Sequence, residues 1–153
     1  MPRKDIGNVK NLAAAVYPAV KMKNVASLVR FDITNTIGKD IVVTRIVFTS
    51  PNNLIGRYRV DYREDTPVVT PNSASMVKTT AQLDIIDGEP YGNGNKASFY
   101  MGIAPSSVSA GSTLKVEVSY NDSEDNKTKD FELALTEQVD FKSGKMKIFE
   151  LSI

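Results

Sequence analysis

The stretch ASLVRFDITN, residues 26–35, decides the fold class of this chain. Its apolar residues alternate with other residues, and a period of two is typical of a β-strand with one buried face. The buried face is predicted to hold Val29, Phe31 and Ile33. Leu28, Arg30 and Asp32 fall on the opposite face, and an antiparallel sheet commonly leaves one face in water. The pattern therefore predicts a half-buried strand and does not require a site on its charged face.

The next segment, IVVTRIVFT at residues 41–49, alternates with the same period. Asn35, Gly38 and Asp40 lie between the two segments and supply the residue types of tight turns. The sequence therefore predicts that residues 26–35 and 41–49 form a β-hairpin.

Further alternating segments follow at intervals of about 10–15 residues, separated by turn-rich loops. This spacing predicts an all-β chain, an antiparallel β-sandwich of roughly seven to nine strands. We expect a single domain over residues 1–153. The residues predicted to form its core motif are Leu28, Val29, Phe31, Ile33, Ile46, Phe99, Leu114, Val116, Val118 and Phe131.

The two ends of the chain carry separate predictions. Residues 1–20 are expected to form either a short helix or a first strand, because Val9, Leu12 and Val16 lie at helical spacing. The last segment, KMKIFELSI at residues 145–153, is predicted to lie at a sheet edge or to pair with a first strand. Its apolar residues change phase within the segment, which indicates a bulge or an end strand with two buried faces.

The composition argues against several classes of function. The 19 basic and 18 acidic residues are interspersed and give a net charge of +1, so there is no basic field for nucleic acid or anionic lipid. Cysteine, histidine and tryptophan are absent, which removes thiolate chemistry, the commonest general base and the commonest metal ligand. No apolar run is long enough for a membrane helix. We therefore expect no catalytic residues, no cofactor, no metal and no membrane span.

Two acidic groups could carry chemistry. Asp122, Glu124 and Asp125 offer oxygen ligands for calcium, but the segment lacks the glycine and distal glutamate of an EF-hand loop, which favours a solvated hairpin turn. Asp84 and Asp87 could be a carboxylate pair of a glycoside hydrolase. Their isoleucine neighbours favour the end of a strand.

Two other regions could bind a ligand. The glycine-rich loop at residues 87–96 lacks the spacing of a phosphate-binding motif, and we expect it to be flexible. The second region combines tyrosines and arginines, which are enriched at recognition surfaces. Its alternation also fits half-buried strand residues flanked by solvated arginines, and that interpretation is favoured. The residues of this candidate interaction surface are Arg57, Tyr58, Arg59, Tyr62 and Arg63.

The segment KMKNVASLVRFDITNTIGKDIVVTRIVFTS, residues 21–50, resembles the fimbrillin-like proteins of Bacteroidetes, the subunits of surface pili and related adhesins. The resemblance lies in a strand with a charged residue, an ITN step, a glycine turn and a strand ending in IVFT. Two later segments, ASFYMGIAPSSVSAGSTLKVEVSYND and VDFKSGKMKIFELSI, resemble later strands of that family. The resemblance covers roughly residues 20–153 and rests on strand patterns.

The resemblance implies a transthyretin-like β-sandwich that serves as a non-enzymatic structural or adhesion module of a bacterial surface fimbria. It implies assembly by β-strand addition, in which a neighbour's strand fills the groove left by a first strand. The expected partners are other fimbrial subunits or ligands on host or bacterial surfaces, and the expected location is the outer-membrane-associated fimbria. Residues 1–153 show neither the signal region nor the lipobox cysteine of the family, and their length is that of about one of its two domains, so we expect either an isolated N-terminal-type domain or a short family member. A carbohydrate- or peptide-binding module at the cell surface is the alternative.

Overall fold

A computed structural model describes residues 24–63 and 65–153. The helix or first strand predicted within residues 1–20 lies outside the described residues. The described chain is nearly all β, which confirms the predicted fold class. A single 3₁₀ turn, Ala74–Met76, is its one helical element.

Thirteen strands follow one another along the described chain. Their bounds are β1 Ser27–Thr34, β2 Val42–Thr49, β3 Ile55–Gly56, β4 Tyr58–Asp61, β5 Val68–Pro71, β6 Val77–Lys78, β7 Thr80–Asp84, β8 Lys96–Ile103, β9 Ser106–Val108, β10 Thr113–Asn121, β11 Asn126–Ala134, β12 Val139–Phe141 and β13 Met146–Ser152. The number exceeds the predicted seven to nine because six strands of two to four residues form three small ribbons, β3–β6, β4–β5 and β9–β12.

The seven longer strands form two sheets. One has the order β13-β1-β8, with β1 parallel to β13 and antiparallel to β8. The other is antiparallel throughout and has the order β11-β10-β2-β7. The two sheets meet through apolar side chains, as in a β-sandwich.

Aromatic rings fill the centre of the core. Phe31 on β1 lies edge-on to Phe48 on β2, with 5.7 Å between ring centroids, and stacks against Phe149 on β13 at 5.9 Å. Phe141 on β12 contacts Phe48 at 6.1 Å and closes one side of the cluster. Phe31 and Phe48 are fully buried. These contacts join strands from both sheets and one ribbon, so the core holds the sandwich together.

The predicted hairpin between residues 26–35 and 41–49 is wrong. β1 and β2 lie in different sheets, and the intervening turn crosses between them. Buried Asn35 holds the turn: its side-chain amide donates to the carbonyl oxygens of Lys39 at 2.8 Å and Tyr91 at 2.9 Å. Alternation fixes which face of a strand is buried but not which strand lies beside it, so the pattern fitted either arrangement.

The prediction for the C-terminal segment is confirmed. β13 lies at the edge of its sheet and pairs in parallel with β1, from Leu28 opposite Met146 to Thr34 opposite Ser152. The predicted bulge is not needed to explain the phase change. Met146 and Ile148 lie on the outer face of the sheet, and Phe149 and Leu151 point into the core.

Candidate assembly surface

The outer face of the sheet β13-β1-β8 exposes a group of large apolar side chains. Leu28 is 38% exposed, Tyr100 51%, Met146 44% and Ile148 42%. The strand registers bring them together, because Leu28 lies opposite Met146, and Arg30 lies between Tyr100 and Ile148. We call these four residues the outer apolar patch. Exposed apolar patches of this kind mark sites of association more often than scattered single residues do.

A buried carboxylate lies beside this patch on the same face. The Asp32 side chain is 1% exposed and accepts hydrogen bonds from Ser98 at 2.6 Å and Arg30 at 2.9 Å, with the Lys96 ammonium 3.6 Å away. The hydrogen bond from Ser98, followed by that from Arg30, holds the pKa of Asp32 below its usual range. The charges of the outer face therefore tie β1 to β8 and form an internal network.

The residues of the predicted core motif divide into three groups. The structure buries Val29, Phe31, Ile33, Ile46, Leu114, Val116 and Val118. It leaves Phe99 and Phe131 partly buried against the core. Leu28 differs from the expectation, because it belongs to the outer apolar patch, one residue out of phase with Val29.

The predicted Tyr/Arg surface lies on and beside the ribbon β4–β5. Arg57, Arg59 and Arg63 are exposed, and Arg63 pairs with the carboxylate of Asp61. Tyr62 is 56% exposed. Tyr58 instead lines an apolar groove of about 380 Å³ with Leu54 and Val69, and its hydroxyl is buried. The structure therefore separates Tyr58 from the exposed residues of the candidate surface.

The acidic turn after β10 is built around a buried ion cluster. The Asp122 side chain is fully buried and pairs with the ammonium groups of Lys127 and Lys39, the latter at 3.4 Å. It also accepts backbone N–H bonds from Glu124 at 3.2 Å and Asp125 at 3.0 Å. The hydrogen bond from Lys127, followed by the two backbone N–H bonds, holds the pKa of Asp122 well below its usual range. The predicted hairpin turn is confirmed, because β10 and β11 pair on either side of it, but Asp122 itself is buried and has two cationic partners.

We expect the Asp122→Asn variant to melt at a lower temperature than the wild type at pH 7, because two ammonium groups lose their carboxylate. The folded-state pKa of Asp122 lies below the unfolded value of about 3.9, so its contribution is complete above about pH 4 and is lost as pH falls further. The difference in melting temperature should therefore hold from pH 7 to about pH 5 and shrink below about pH 4. Thermal melts followed by circular dichroism measure it.

Asp125→Asn is the matched control, since Asp125 lies in the same turn with an exposed side chain. We expect this variant to melt close to the wild type across the same pH range. Equal losses in both variants would contradict the role assigned to Asp122.

The other candidate chemical groups are held by structural contacts. Asp84 accepts hydrogen bonds from Gln82 and Arg45, which lower its pKa, whereas a glycosidase acid needs a raised one. The loop at residues 87–96 is anchored: Tyr91 forms a bridge with Ile41, and Asn93 accepts the N–H of Gly38 at 3.0 Å. Burial raises the pKa of Tyr91 to about 12. Within residues 24–63 and 65–153, no group of three or more acidic side chains is placed to hold a metal ion.

The outer apolar patch is the feature that the sequence analysis did not identify as a surface. Its members come from β1, β8 and β13, which are far apart in the chain. The phase change in the last segment was the available signal, because it places Met146 and Ile148 on the face opposite Phe149 and Leu151. The sequence alone assigns that phase change to a bulge or to a strand with two buried faces.

A scan against protein-family models finds no match to this chain, and a search of curated proteins finds none either.

In the part of the chain that the structure describes, no helix has the length and apolar character needed to cross a membrane.

Proposed function

We propose that this protein is a non-enzymatic structural or adhesion module of a bacterial surface fimbria that assembles by β-strand addition. The observation that carries the proposal is the position of β1, an N-terminal strand at the centre of a three-stranded sheet. β1 pairs with β13 from Leu28 to Thr34 on one side and with β8 along its whole length on the other. Its loss would leave a groove between two strands whose backbone groups need a new partner.

The side chains of β1 make this groove specific. Val29, Phe31 and Ile33 are all fully buried, and Phe31 contacts rings on both sheets. A replacement strand must therefore supply apolar residues at every second position, as residues 26–35 do. The alternating sequence and the central position together fit a strand that a neighbouring subunit could replace.

The resemblance of residues 21–50 and of the later strands to fimbrillin-like proteins supports the same function. On this proposal the protein belongs to an outer-membrane-associated fimbria at the bacterial surface, with other fimbrial subunits or surface ligands as its partners. The contacts of Asp32, Asp84 and Asp122 agree with a structural role, because each carboxylate is held by hydrogen bonds or ion pairs within the sheets and turns.

Strand exchange can be tested by cutting the full chain beside β1. Gly38 is a suitable place for an inserted protease site, because it is exposed and the space around it is open, with no atom within 4 Å of an added Cβ. After cleavage β1 is held by non-covalent contacts alone. A labelled peptide of residues 24–36, added in excess, is expected to enter the sheet and displace the cleaved segment. Native gels and fluorescence anisotropy report the uptake.

Two controls make the result specific to β1. The same peptide carrying Phe31→Asp should not enter, because a buried carboxylate without a partner is strongly unfavourable. A cut at exposed Gly94, between β7 and β8, should give no uptake, since β1 stays attached to β2. Failure of the wild-type peptide to enter the protein cut at Gly38, or equal uptake of both peptides, would overturn assembly by strand addition.

A further inference from the structure

The free edge of β13 can be read from its hydrogen bonds to β1. Leu28 N–H donates to the Lys145 carbonyl at 2.9 Å, and Ile153 N–H donates to the Thr34 carbonyl at 3.0 Å. The backbone N–H and C=O of a residue point to the same side of a strand, and that side alternates from one residue to the next. The odd-numbered residues of β13 therefore face β1. Met146, Ile148, Glu150 and Ser152 point their N–H and C=O groups away from it.

No strand among residues 24–63 and 65–153 pairs with this outward side of β13. Four consecutive outward-facing residues thus present unpaired backbone groups along a strand of seven residues. An open edge of this kind is a template for pairing with another strand. The same residues carry the exposed side chains of Met146 and Ile148, so free backbone groups and apolar surface coincide.

Three of the four edge strands of the two sheets differ in how their free edges are protected. β11 points Lys127 and Lys129 toward the inner face of its sheet, because these residues lie opposite the buried Tyr120 and Val118. Inward-pointing lysines are a common protection against edge pairing. β8 begins at Lys96, and just beyond its end the Ala104 N–H donates to the Leu54 carbonyl. β13 carries one inward lysine, Lys147, at its start.

We propose that two copies of this protein form a two-fold symmetric dimer in which their β13 strands pair antiparallel. The two three-stranded sheets then become one sheet of six strands. Ile148 lies opposite Ile148 of the second copy, and Met146 lies opposite Glu150. On the inner face Lys147 of one copy lies opposite Phe149 of the other. Phe149 is already partly buried against the core of its own copy. A two-fold axis makes this interface self-complementary, so the assembly closes at two copies.

Charge and apolar pairing select this register from its neighbours. Moving the centre to residue 147 places Lys147 opposite Lys147, and moving it to residue 150 places Glu150 opposite Glu150. Like charges directly opposite each other destabilise a strand pair. A centre at residue 149 places Ile148 opposite Glu150. It also sets Phe149 opposite Phe149 on the inner face, but each Phe149 ring already packs against Phe31 and Phe48 of its own copy. The register centred on Ile148 pairs isoleucine with isoleucine and brings no like charges into direct opposition.

The dimer also extends the outer apolar patch. Ile148 and Met146 of both copies become neighbours, and Leu28 lies behind Met146 on β1 of each copy. The net charge of +1 gives little long-range repulsion between copies. This association needs no loss or exchange of β1, so it holds or fails independently of the proposed strand addition.

The absence of cysteine from the chain allows a direct test. In the Ile148→Cys variant the two thiols lie opposite each other across the axis, about 5.5 Å apart at Cα, within the range of a disulfide. Mild oxidation of the folded protein should give a covalent dimer on a non-reducing gel. Sedimentation equilibrium of the unmodified chain should give twice the monomer mass of 16.8 kDa.

Glu150→Cys is the matched control, because residue 150 is an exposed neighbour on the same face and the same edge. In the proposed register the two copies of residue 150 lie four residues apart along the strands, roughly 13 Å, so little crosslinking is expected. The double variant Met146→Cys/Glu150→Cys should crosslink efficiently, since those positions lie opposite each other.

A charge at the axis tests the same contact without oxidation. Ile148→Lys places two ammonium groups opposite each other and should raise the dimer dissociation constant at least about tenfold. Tyr100→Lys, on the same face but on β8, should leave the dimer unchanged. A monomeric wild type at about 100 μM, open-ended polymers larger than two copies, or equal crosslinking at residues 148 and 150 would each overturn the proposal.

Discussion

Replacing Phe31 with alanine is expected to lower the free energy of unfolding by about 3–5 kcal/mol, the range for removing a buried phenylalanine. Phe31 is fully buried and contacts Phe48 on the opposite sheet and Phe149 on the neighbouring strand. A cavity at this position would remove contacts on both sides of the sandwich. Because β1 is central, the surrounding strands cannot close over the gap without breaking their pairing with it. Urea unfolding measured by circular dichroism gives the value.

Leu28→Ala is the matched control for Phe31→Ala. Leu28 lies on the same strand and in the same sheet, but it is 38% exposed on the outer face. We expect its replacement to change the free energy of unfolding by less than about 1 kcal/mol. An unchanged stability for Phe31→Ala, or equal losses for both variants, would contradict the assigned core face of β1.

Removing residues 145–153 is expected to abolish cooperative folding. The deletion removes all of β13, including Phe149 from the ring cluster and Leu151 and Ile153 from the core. It also leaves one side of β1 without the hydrogen bonds that Leu28 and its neighbours make. Loss of both the strand pairing and three core side chains exceeds the stability of about 5–15 kcal/mol that a domain of this size commonly has. Near-ultraviolet circular dichroism and a thermal melt test the truncated chain.

Adding the missing strand in trans distinguishes loss of β13 from a general failure of the truncated chain. A synthetic peptide of residues 144–153 should restore a cooperative melt at high concentration. The same peptide with Phe149→Asp and Leu151→Asp should not, because both side chains belong on the inner face. A truncated chain that melts cooperatively without any peptide would contradict the role given to β13.

On the outer face of β1 the sequence predicts which face a residue lies on, but not whether a polar residue there is buried. Alternation placed Arg30 and Asp32 opposite the core face, and the structure places them on the outer face. The sequence could not show that Asp32 is buried there, because Ser98 and Lys96 come from β8, more than sixty residues later. Asp122 is a similar case, since its partner Lys39 comes from the turn that joins the two sheets. Burial of a polar residue depends on partners that local patterns do not reveal.

The candidate surface required the same long-range information. Tyr58 and Tyr62 are four residues apart, so alternation assigns them to the same face of a strand. Tyr58 nevertheless lines a groove with Leu54 and Val69, whereas Tyr62 is largely exposed. The outer apolar patch combines residues from three strands, each of which appears ordinary when considered alone. The side of β13 that points away from β1 became identifiable once its hydrogen bonds were known.

The sequence by itself determined that this chain is all-β and which faces of its long strands are apolar. Both follow from the period of two residues, which is a local property. Tertiary structure alone decided which strands are neighbours. β1 and β2 separate into different sheets, and β1 meets β13, with Ser27 and Lys145 in contact across 118 residues of chain. Pairing partners are chosen by the joint packing of both sheets around one core, and no window of local sequence contains that choice.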